Sequence, residues 1–409
     1  MIAFAAVGVL YFNLVFSHFS RWIILALMIL FLLMKSKLFL SINSECGAAI
    51  LLFLGWCFLT IFWSEVPALS FYKATAYAMS VIGLTSAGIW WARSRPYDHA
   101  LDIFIPISLL TIAAAVLGLW VHGSVIDAGS ISLYQGLSRN PNLMGILAIM
   151  TWPVALCAVE NVRGKRKIGF FEYSFLTAVL GLVLATSSRA SIGAIVIATA
   201  VYLFGAGFLR YGVLLLVALL LGLIIHLNNP ELFESAQKRF LYKDDRALRF
   251  EDIFKSREKI WEVSRRKAED GGFVGVGFGI AAGHREQSDF SAFQGTRGRE
   301  KGNTVLAVME ETGKVGLVLY AFVIYFVIGT PLRAALTTQD NKFRVMLCIV
   351  IGTLLGLVFN SQFEAWWIAA GGVATPYFWC MAGVGIGLAQ KIHLRKSSPD
   401  FYRSAAGIV

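Results

Sequence analysis

Three arginines lie in short polar segments where a positive charge has a chemical use. Arg139 stands in Leu-Ser-Arg-Asn-Pro-Asn, Arg189 in Thr-Ser-Ser-Arg-Ala-Ser, and Arg257 in Ser-Arg-Glu-Lys-Ile-Trp. A guanidinium group donates two parallel hydrogen bonds to a phosphate and stays charged at any relevant pH. The three residues could therefore bind a diphosphate and neutralise its charge as it leaves a substrate. An arginine beside an apolar helix can also extend to lipid headgroups, and for Arg139 and Arg189 this second interpretation stays open.

The elements that must position these arginines are membrane helices. Of the 409 residues 57% are hydrophobic, and apolar stretches of membrane-spanning length recur from end to end. We predict an all-α polytopic membrane protein with about twelve transmembrane helices. The predicted spans are 2–17, 22–35, 47–63, 71–91, 101–122, 141–159, 172–187, 190–208, 211–227, 314–331, 344–360 and 366–389. Only Ser187, Ser188 and Arg189 separate the seventh span from the eighth, so these two could merge.

One long polar segment, residues 228–303, interrupts the apolar pattern between the ninth and tenth spans. A connection of this length is functional or disordered, and its scattered aromatic residues favour a folded segment. It divides the chain into the spans of 1–227, a catalytic cap over 228–303, the spans of 304–389 and a tail over 390–409. The glycine-rich stretch 275–279 inside the cap lacks the strand and helix of a nucleotide site, so it predicts a turn.

Basic residues are distributed unevenly between the predicted loops. If the N-terminus is cytoplasmic, the cytoplasmic loops carry most of the lysines and arginines, and the opposite short loops carry only Arg21, Arg139 and Arg189. This positive-inside pattern predicts that both termini are cytoplasmic and that the 228–303 loop lies outside the cytoplasm. The loops account for the net charge of +11. We expect no nucleic acid, because no compact basic patch with interleaved aromatic residues occurs outside the long loop.

The sequence contains no recognisable metal or cofactor motif. Its five cysteines lie in or beside apolar spans and have no CxxC spacing, and none of its six histidines belongs to an HExxH motif. No nucleophile elbow and no P-loop occurs. We therefore expect a protein that works without a metal or another cofactor.

A series of short motifs follows in order along the chain. They are Phe62-Trp-Ser-Glu-Val-Pro67, Arg139-Asn-Pro-Asn142 with Gly145, Thr186-Ser-Ser-Arg189-Ala, Arg257-x3-Trp261 with the glycines of 275–279, and Asn303-x2-Leu306-x4-Glu311-x-Gly313. In this order they resemble the motifs of the O-antigen ligase and polymerase superfamily of bacterial membrane proteins. The resemblance covers nearly the whole chain. It implies a GT-C-like fold in the bacterial inner membrane, with the active site and the long loop facing the periplasm.

The resemblance also implies a reaction. The donor would be a glycan on undecaprenyl diphosphate, and an acceptor hydroxyl would displace the lipid diphosphate with inversion at the anomeric carbon. Arg189 and Arg257 would bind the diphosphate, with Arg139 as a weaker third. The other substrate-binding residues would be Asn142, Trp261, Gly302 and Asn303.

One position departs from the superfamily. Its ligases place a histidine, thought to activate the acceptor hydroxyl, immediately before the asparagine, where this chain has Gly302. A base could come from His284, Glu286, Asp289, Glu300 or Glu311, or the arginines could carry most of the catalysis. His284 has a suitable unperturbed pKa but could also be a solvated loop residue. Glu310 and Glu311 could serve only to complement a helix dipole.

The absent histidine favours a polysaccharide polymerase, whose acceptor is another lipid-linked glycan. A ligase that transfers O-antigen to lipid A–core remains the alternative. A transporter of lipid-linked glycans or solutes belongs to a different class, and it would move its substrate without forming a glycosidic bond. The spans contain few acidic residues and no clear repeat, which disfavours a transporter.

Overall fold

The fold is known from a computed structural model. It describes residues 15–41, 45–121, 125–128, 131–138, 140–160, 169–207, 255–280, 302–369 and 371–397. The predicted span 211–227, nearly all of the span 2–17 and most of the 228–303 loop lie outside the described residues.

Long helices dominate the described part of the chain. They are α1 (Val15–Met34), α2 (Glu45–Leu59), α3 (Pro67–Ser94), α4 (Ile105–Gly118), α5 (Pro141–Glu160), α6 (Phe170–Thr186), α7 (Arg189–Gly205), α8 (Lys255–Asp270), α9 (Thr304–Thr337), α10 (Asn341–Asn360) and α11 (Ala374–Ser397). Five helical stretches in this part are long and apolar enough to cross a membrane, and three shorter apolar helices accompany them. The protein is therefore a helical membrane protein, while the total of about twelve spans stays a prediction.

A short β-hairpin follows α4 and was not predicted. Strands β1 (Val125–Ala128) and β2 (Ile131–Tyr134) pair antiparallel, with Val125 opposite Tyr134. The Tyr134 hydroxyl donates a hydrogen bond to the carbonyl of Ala115 in α4. Desolvation raises the pKa of the Tyr134 phenol, so it stays protonated and available as this donor. The hairpin is thus attached to the end of a membrane helix.

Two predicted boundaries were wrong and one was confirmed. Helix α1 runs without a break through 18–21, where the first two spans were separated, because no glycine or proline stands there to end a helix. Helix α11 begins at Ala374 rather than at 366. The residues before it are apolar, so hydropathy assigns them to a span. The separation of the seventh and eighth spans is confirmed by Ser187, whose φ of 50° is left-handed and ends α6.

Close helix packing through glycine sets the relative position of α7 and α10. A Cβ placed on Gly356 would lie 2.5 Å from the carbonyl oxygen of Ala194, and one on Gly352 would lie 2.6 Å from that of Ala198. Small residues of this kind let membrane helices approach backbone to backbone. The pairs are antiparallel, so the start of α7 lies beside the end of α10.

The segment between α10 and α11 is anchored by one fully buried aromatic residue. The ring centroid of Trp367 lies 4.6 Å from that of Tyr320, 5.6 Å from Phe53 and 5.4 Å from Trp379. Edge-to-face and tilted contacts at these distances are favourable beyond the area they bury. Trp367 thereby fixes a non-helical segment within the helix bundle.

Candidate active site

Four of the segments predicted to form a site meet at the C-terminal end of α10. We call residues 359–364, with the sequence Phe-Asn-Ser-Gln-Phe-Glu, the α10 turn. Segments around residues 142, 189, 261 and 303, far apart in the sequence, all contact it.

The Asn-Pro-Asn motif reaches the α10 turn through a side chain. Asn140 caps α5, since its Oδ1 accepts a hydrogen bond from the backbone N–H of Asn142 at 2.9 Å, and Pro141 occupies the first helical position. This cap uses only the backbone N–H of Asn142, so the side-chain amide can form another hydrogen bond. Its Nδ2 donates to Oε1 of Glu364 at 2.9 Å.

Arg189 is the first residue of α7 and is half-buried. The preceding residue, Ser188, forms a hydrogen bond of 2.9 Å to Ser191. A Cβ on Gly145 would lie 2.4 Å from Oγ of Ser191, so only glycine permits this approach of α5 to α7. A cation at a helix N-terminus is disfavoured by the helix dipole, whereas an anion is favoured there. The combination of Arg189 with this helix end suits a negatively charged ligand.

The contact between α7 and the α10 turn is also made at a glycine. A Cβ on Gly193 would lie 2.5 Å from the ring of Phe359. The Phe359 ring in turn lies 5.2 Å from that of Phe363. The first turns of α7 are therefore held against the α10 turn.

Helix α8 of the predicted cap contacts the same turn through Trp261. The indole Nε1 of Trp261 donates to the carbonyl of Gly302 at 3.0 Å, and its ring lies 5.8 Å from that of Phe363. Arg257 lies one helical turn earlier in α8. Its side chain lies outside the described residues.

Asn303 joins the start of α9 to the α10 turn. Its Oδ1 accepts from the backbone N–H of Leu306 at 3.1 Å and caps α9, while its Nδ2 donates to the carbonyl of Gln362 at 3.0 Å. The backbone N–H of Thr304 donates to the carbonyl of Ser361 at 3.0 Å. Gly302 and Asn303 are thereby fixed within the cluster.

Helix α9 is broken at Gly313, whose φ of 71° and ψ of −172° are not helical. The glycine-rich turn of the cap replaces the hydrogen bonds that the break removes. The N–H groups of Val276 and Gly277 donate to the carbonyls of Glu310 and Glu311, at 3.0 and 3.1 Å. On the other side of the break the N–H groups of Lys314 and Val315 donate to the carbonyls of Gly272 and Phe273, at 3.2 Å each. Buried backbone groups need such partners.

The predicted turn at 275–279 is confirmed, and its glycines are required by its geometry. Gly275, Gly277 and Gly279 all have positive φ. Oε2 of Glu311 accepts from the N–H of Gly279 at 2.6 Å, and the Glu311 side chain is only 5% exposed. Glu311 thus lies in the packing between α9 and the turn, away from the α10 turn contacts described above.

The Phe-Trp-Ser-Glu-Val-Pro motif lies against the other side of this turn. Trp63 donates from Nε1 to the carbonyl of Gly275 at 3.0 Å, and Trp56 donates to that of Thr312 at 2.7 Å. The Nζ of Lys73 donates to the carbonyl of Gly279 at 2.5 Å. The Trp63 and Lys73 contacts hold the glycine-rich turn against α3 and the segment before it, and the Trp56 contact joins α2 to α9.

Some predicted residues cannot be located. Arg139 and His284 lie outside the described residues, as do Glu286, Asp289 and Glu300. No group of three or more His, Cys, Asp or Glu side chains within the described ranges could hold a metal ion.

The role of the α10 turn was not predicted. Gln362, Phe363 and Glu364 lie between the predicted spans 344–360 and 366–389. The polar run Asn-Ser-Gln and the carboxylate of Glu364 between apolar stretches were the available signal.

The chain shows only a distant similarity to known proteins. No protein-family model matches the chain, and no curated protein matches it. Among the solved chains that match it, one has a TM-score of 0.47 and 15% sequence identity, over 85% of this chain and 97% of the other. That chain comes from a study described as "Structural coordination of polymerization and crosslinking by a peptidoglycan synthase complex". A similarity this distant does not assign a function.

Proposed function

We propose that this protein is a membrane glycosyltransferase that transfers a glycan from undecaprenyl diphosphate to an acceptor hydroxyl. The main support is that four motif segments, around Asn142, Arg189, Trp261 and Asn303, contact the α10 turn. These segments are the ones that resemble the O-antigen ligase and polymerase superfamily. The motifs therefore lie close together in the fold, whereas short motifs that matched by chance would be scattered.

The chemistry of the cluster supports a diphosphate ligand. Arg189 stands half-buried at the N-terminus of α7, where the helix dipole and the guanidinium group both favour an anion. A lipid diphosphate keeps its tail in the bilayer and its charge at the interface, which matches a cation at the end of an apolar helix. Arg257 and Arg139 would add to this charge, and stabilisation of a departing diphosphate is a large catalytic contribution.

The acceptor distinguishes the two forms of this proposal. Gly302 replaces the histidine of the ligases, which favours a polymerase acting on a second lipid-linked glycan. Transfer to lipid A–core is the alternative. In both forms the site faces the periplasm of the inner membrane and the 228–303 segment covers it.

The test uses purified full-length protein in detergent with an undecaprenyl-diphosphate-linked oligosaccharide, alone and then with lipid A–core. A ladder of products from the donor alone would establish a polymerase. A single shift of lipid A–core that depends on both substrates would establish a ligase. If neither product forms, and Arg189→Ala and Arg257→Ala bind the donor as well as the parent does, the enzyme proposal fails in favour of a transporter.

A further inference from the structure

We propose that Glu364 is the general base that deprotonates the acceptor hydroxyl, in the place of the absent histidine. The inference rests on the proposed glycosyl transfer. Glu364 takes the role for which the sequence suggests His284, Glu286, Asp289, Glu300 or Glu311.

The first support is the location of Glu364. The side chain is half-buried rather than fully enclosed, and its Oε1 accepts from Nδ2 of Asn142 at 2.9 Å. It therefore lies among the motif segments that meet at the α10 turn.

The second support is its relation to residue 302. Asn303 donates to the carbonyl of Gln362 at 3.0 Å, and the Trp261 side chain contacts both the Gly302 carbonyl and the Phe363 ring. Gly302, at the position of the missing histidine, is thus connected through Trp261 to Phe363, the residue next to Glu364.

The third support comes from the carboxylates of α9. Glu310 is fully buried, and Glu311 is 5% exposed with Oε2 bonded to the N–H of Gly279. Their backbone carbonyls are also used by the glycine-rich turn. Both are committed to the packing at the helix break, whereas a base must reach the substrate.

The step that we assign to Glu364 forms one bond to the anomeric carbon and breaks another. The acceptor oxygen forms a bond to the anomeric carbon of the donor while its proton moves to the Glu364 carboxylate. The bond from the anomeric carbon to the diphosphate oxygen breaks, and its electron pair leaves on the undecaprenyl diphosphate beside Arg189. The protonated Glu364 then returns its proton to water. A positioned general base of this kind contributes roughly 10² to 10⁴-fold in rate.

Glu364→Gln is the most informative variant. The glutamine Oε1 can still accept from Asn142, but the side chain can no longer take a proton. We expect the single-turnover transfer rate to fall by about 100-fold or more, with the donor dissociation constant within about twofold of the parent. Glu364→Asp keeps a carboxylate and should retain part of the rate. Sodium formate should partly restore Glu364→Ala, because it supplies a small diffusible base.

Two further variants serve as controls. Glu45→Gln changes an exposed carboxylate at the start of α2, near Arg333 at the far end of α9, and should leave the rate unchanged. Asn142→Ala removes the hydrogen bond to Glu364 while keeping the carboxylate, and should lower the rate less than Glu364→Gln does. Melting temperatures of all variants are measured first. If Glu364→Gln is unfolded, Glu364→Asp and formate rescue decide the question.

The inference is overturned if Glu364→Gln transfers glycan within about threefold of the parent rate. It is also overturned if Asn142→Ala loses as much rate as Glu364→Gln and formate restores nothing, since Glu364 then only holds the Asn-Pro-Asn turn. Both outcomes require an active parent protein. An inactive parent with donor alone and with lipid A–core would instead defeat the proposed function.

Discussion

The residues of the candidate site divide into those that hold its helices in place and those that we propose to contact the substrate. Asn140 and Asn303 cap helices, because their side-chain oxygens accept hydrogen bonds from backbone N–H groups. Gly145 and Gly193 permit close approach of α7 to its neighbours. Under the proposed function, Arg189 would stabilise the departing diphosphate and Glu364 would accept the proton of the acceptor hydroxyl.

At the residue scale we predict that Arg189→Ala lowers kcat/KM for transfer by about 100-fold and weakens donor binding, because the guanidinium group would stabilise the diphosphate. Arg189→Lys should recover only part of this loss, since lysine keeps the charge but not the paired donors. Donor titration and single-turnover rates measure both effects.

Arg333→Ala is the matched control for this prediction. Arg333 has an exposed side chain near the opposite end of α9 from the candidate site. Its removal should change neither the rate nor the affinity. Unchanged donor affinity and rate in Arg189→Ala would mean that Arg189 serves only to interact with lipid headgroups.

At the scale of elements, the described part of the cap and α9 form one hydrogen-bonded unit. The break at Gly313 frees backbone groups on both sides, and the residues 272–277 pair with them. A Cβ on Gly313 would lie 2.2 Å from the carbonyl oxygen of Phe273, and one on Gly275 would lie 2.3 Å from that of Glu311. This pairing fixes the end of α8, and with it Trp261, relative to the membrane helices.

We predict that Gly313→Ala destabilises the protein by about 2 kcal/mol or more, because alanine disfavours this backbone conformation and its methyl group would collide with the Phe273 carbonyl. The apparent melting temperature in detergent should fall, and trypsin should cleave the 255–280 region faster. Gly329→Ala in the same helix is the control, since nothing lies within 4 Å of its added Cβ. Equal stability of the two variants would contradict the pairing described here.

At the scale of the whole molecule, helix packing brings the site together. The glycine contacts between α7 and α10 align the start of one helix with the end of the other, so Arg189 and the α10 turn share one end of the bundle. Helices α5 and α9 also begin at this end, through Asn142 and Asn303. The opposite end contains Arg333 and Glu45.

The distribution of basic residues predicts how the bundle is oriented. The C-terminal tail should be cytoplasmic and the 228–303 segment periplasmic. A green fluorescent protein fused after Val409 should therefore fluoresce, whereas alkaline phosphatase there should be inactive. Alkaline phosphatase fused within 228–303 should be active. The reverse pattern would place the candidate site on the cytoplasmic face, where a periplasmic glycan donor could not reach it.

The sequence by itself determined the properties that depend on local composition. Apolar stretches predicted membrane helices because lipid requires a continuous apolar surface with internal backbone hydrogen bonds. Ser187 and Arg189 correctly marked the separation of α6 from α7, and the glycines of 275–279 correctly predicted a turn. The motifs around Asn142, Arg189, Trp261 and Asn303 marked segments that contact the α10 turn.

Only the tertiary structure decided how those segments are combined. Hydropathy placed 366–373 in a span because its tryptophans are apolar, whereas packing of Trp367 against Tyr320 holds that segment outside any helix. The contact between Asn142 and Glu364 joins the start of α5 to the segment after α10, far away in the chain, and no local pattern encodes it. The break at Gly313 is likewise stable only because the glycine-rich turn supplies partners for the freed backbone groups.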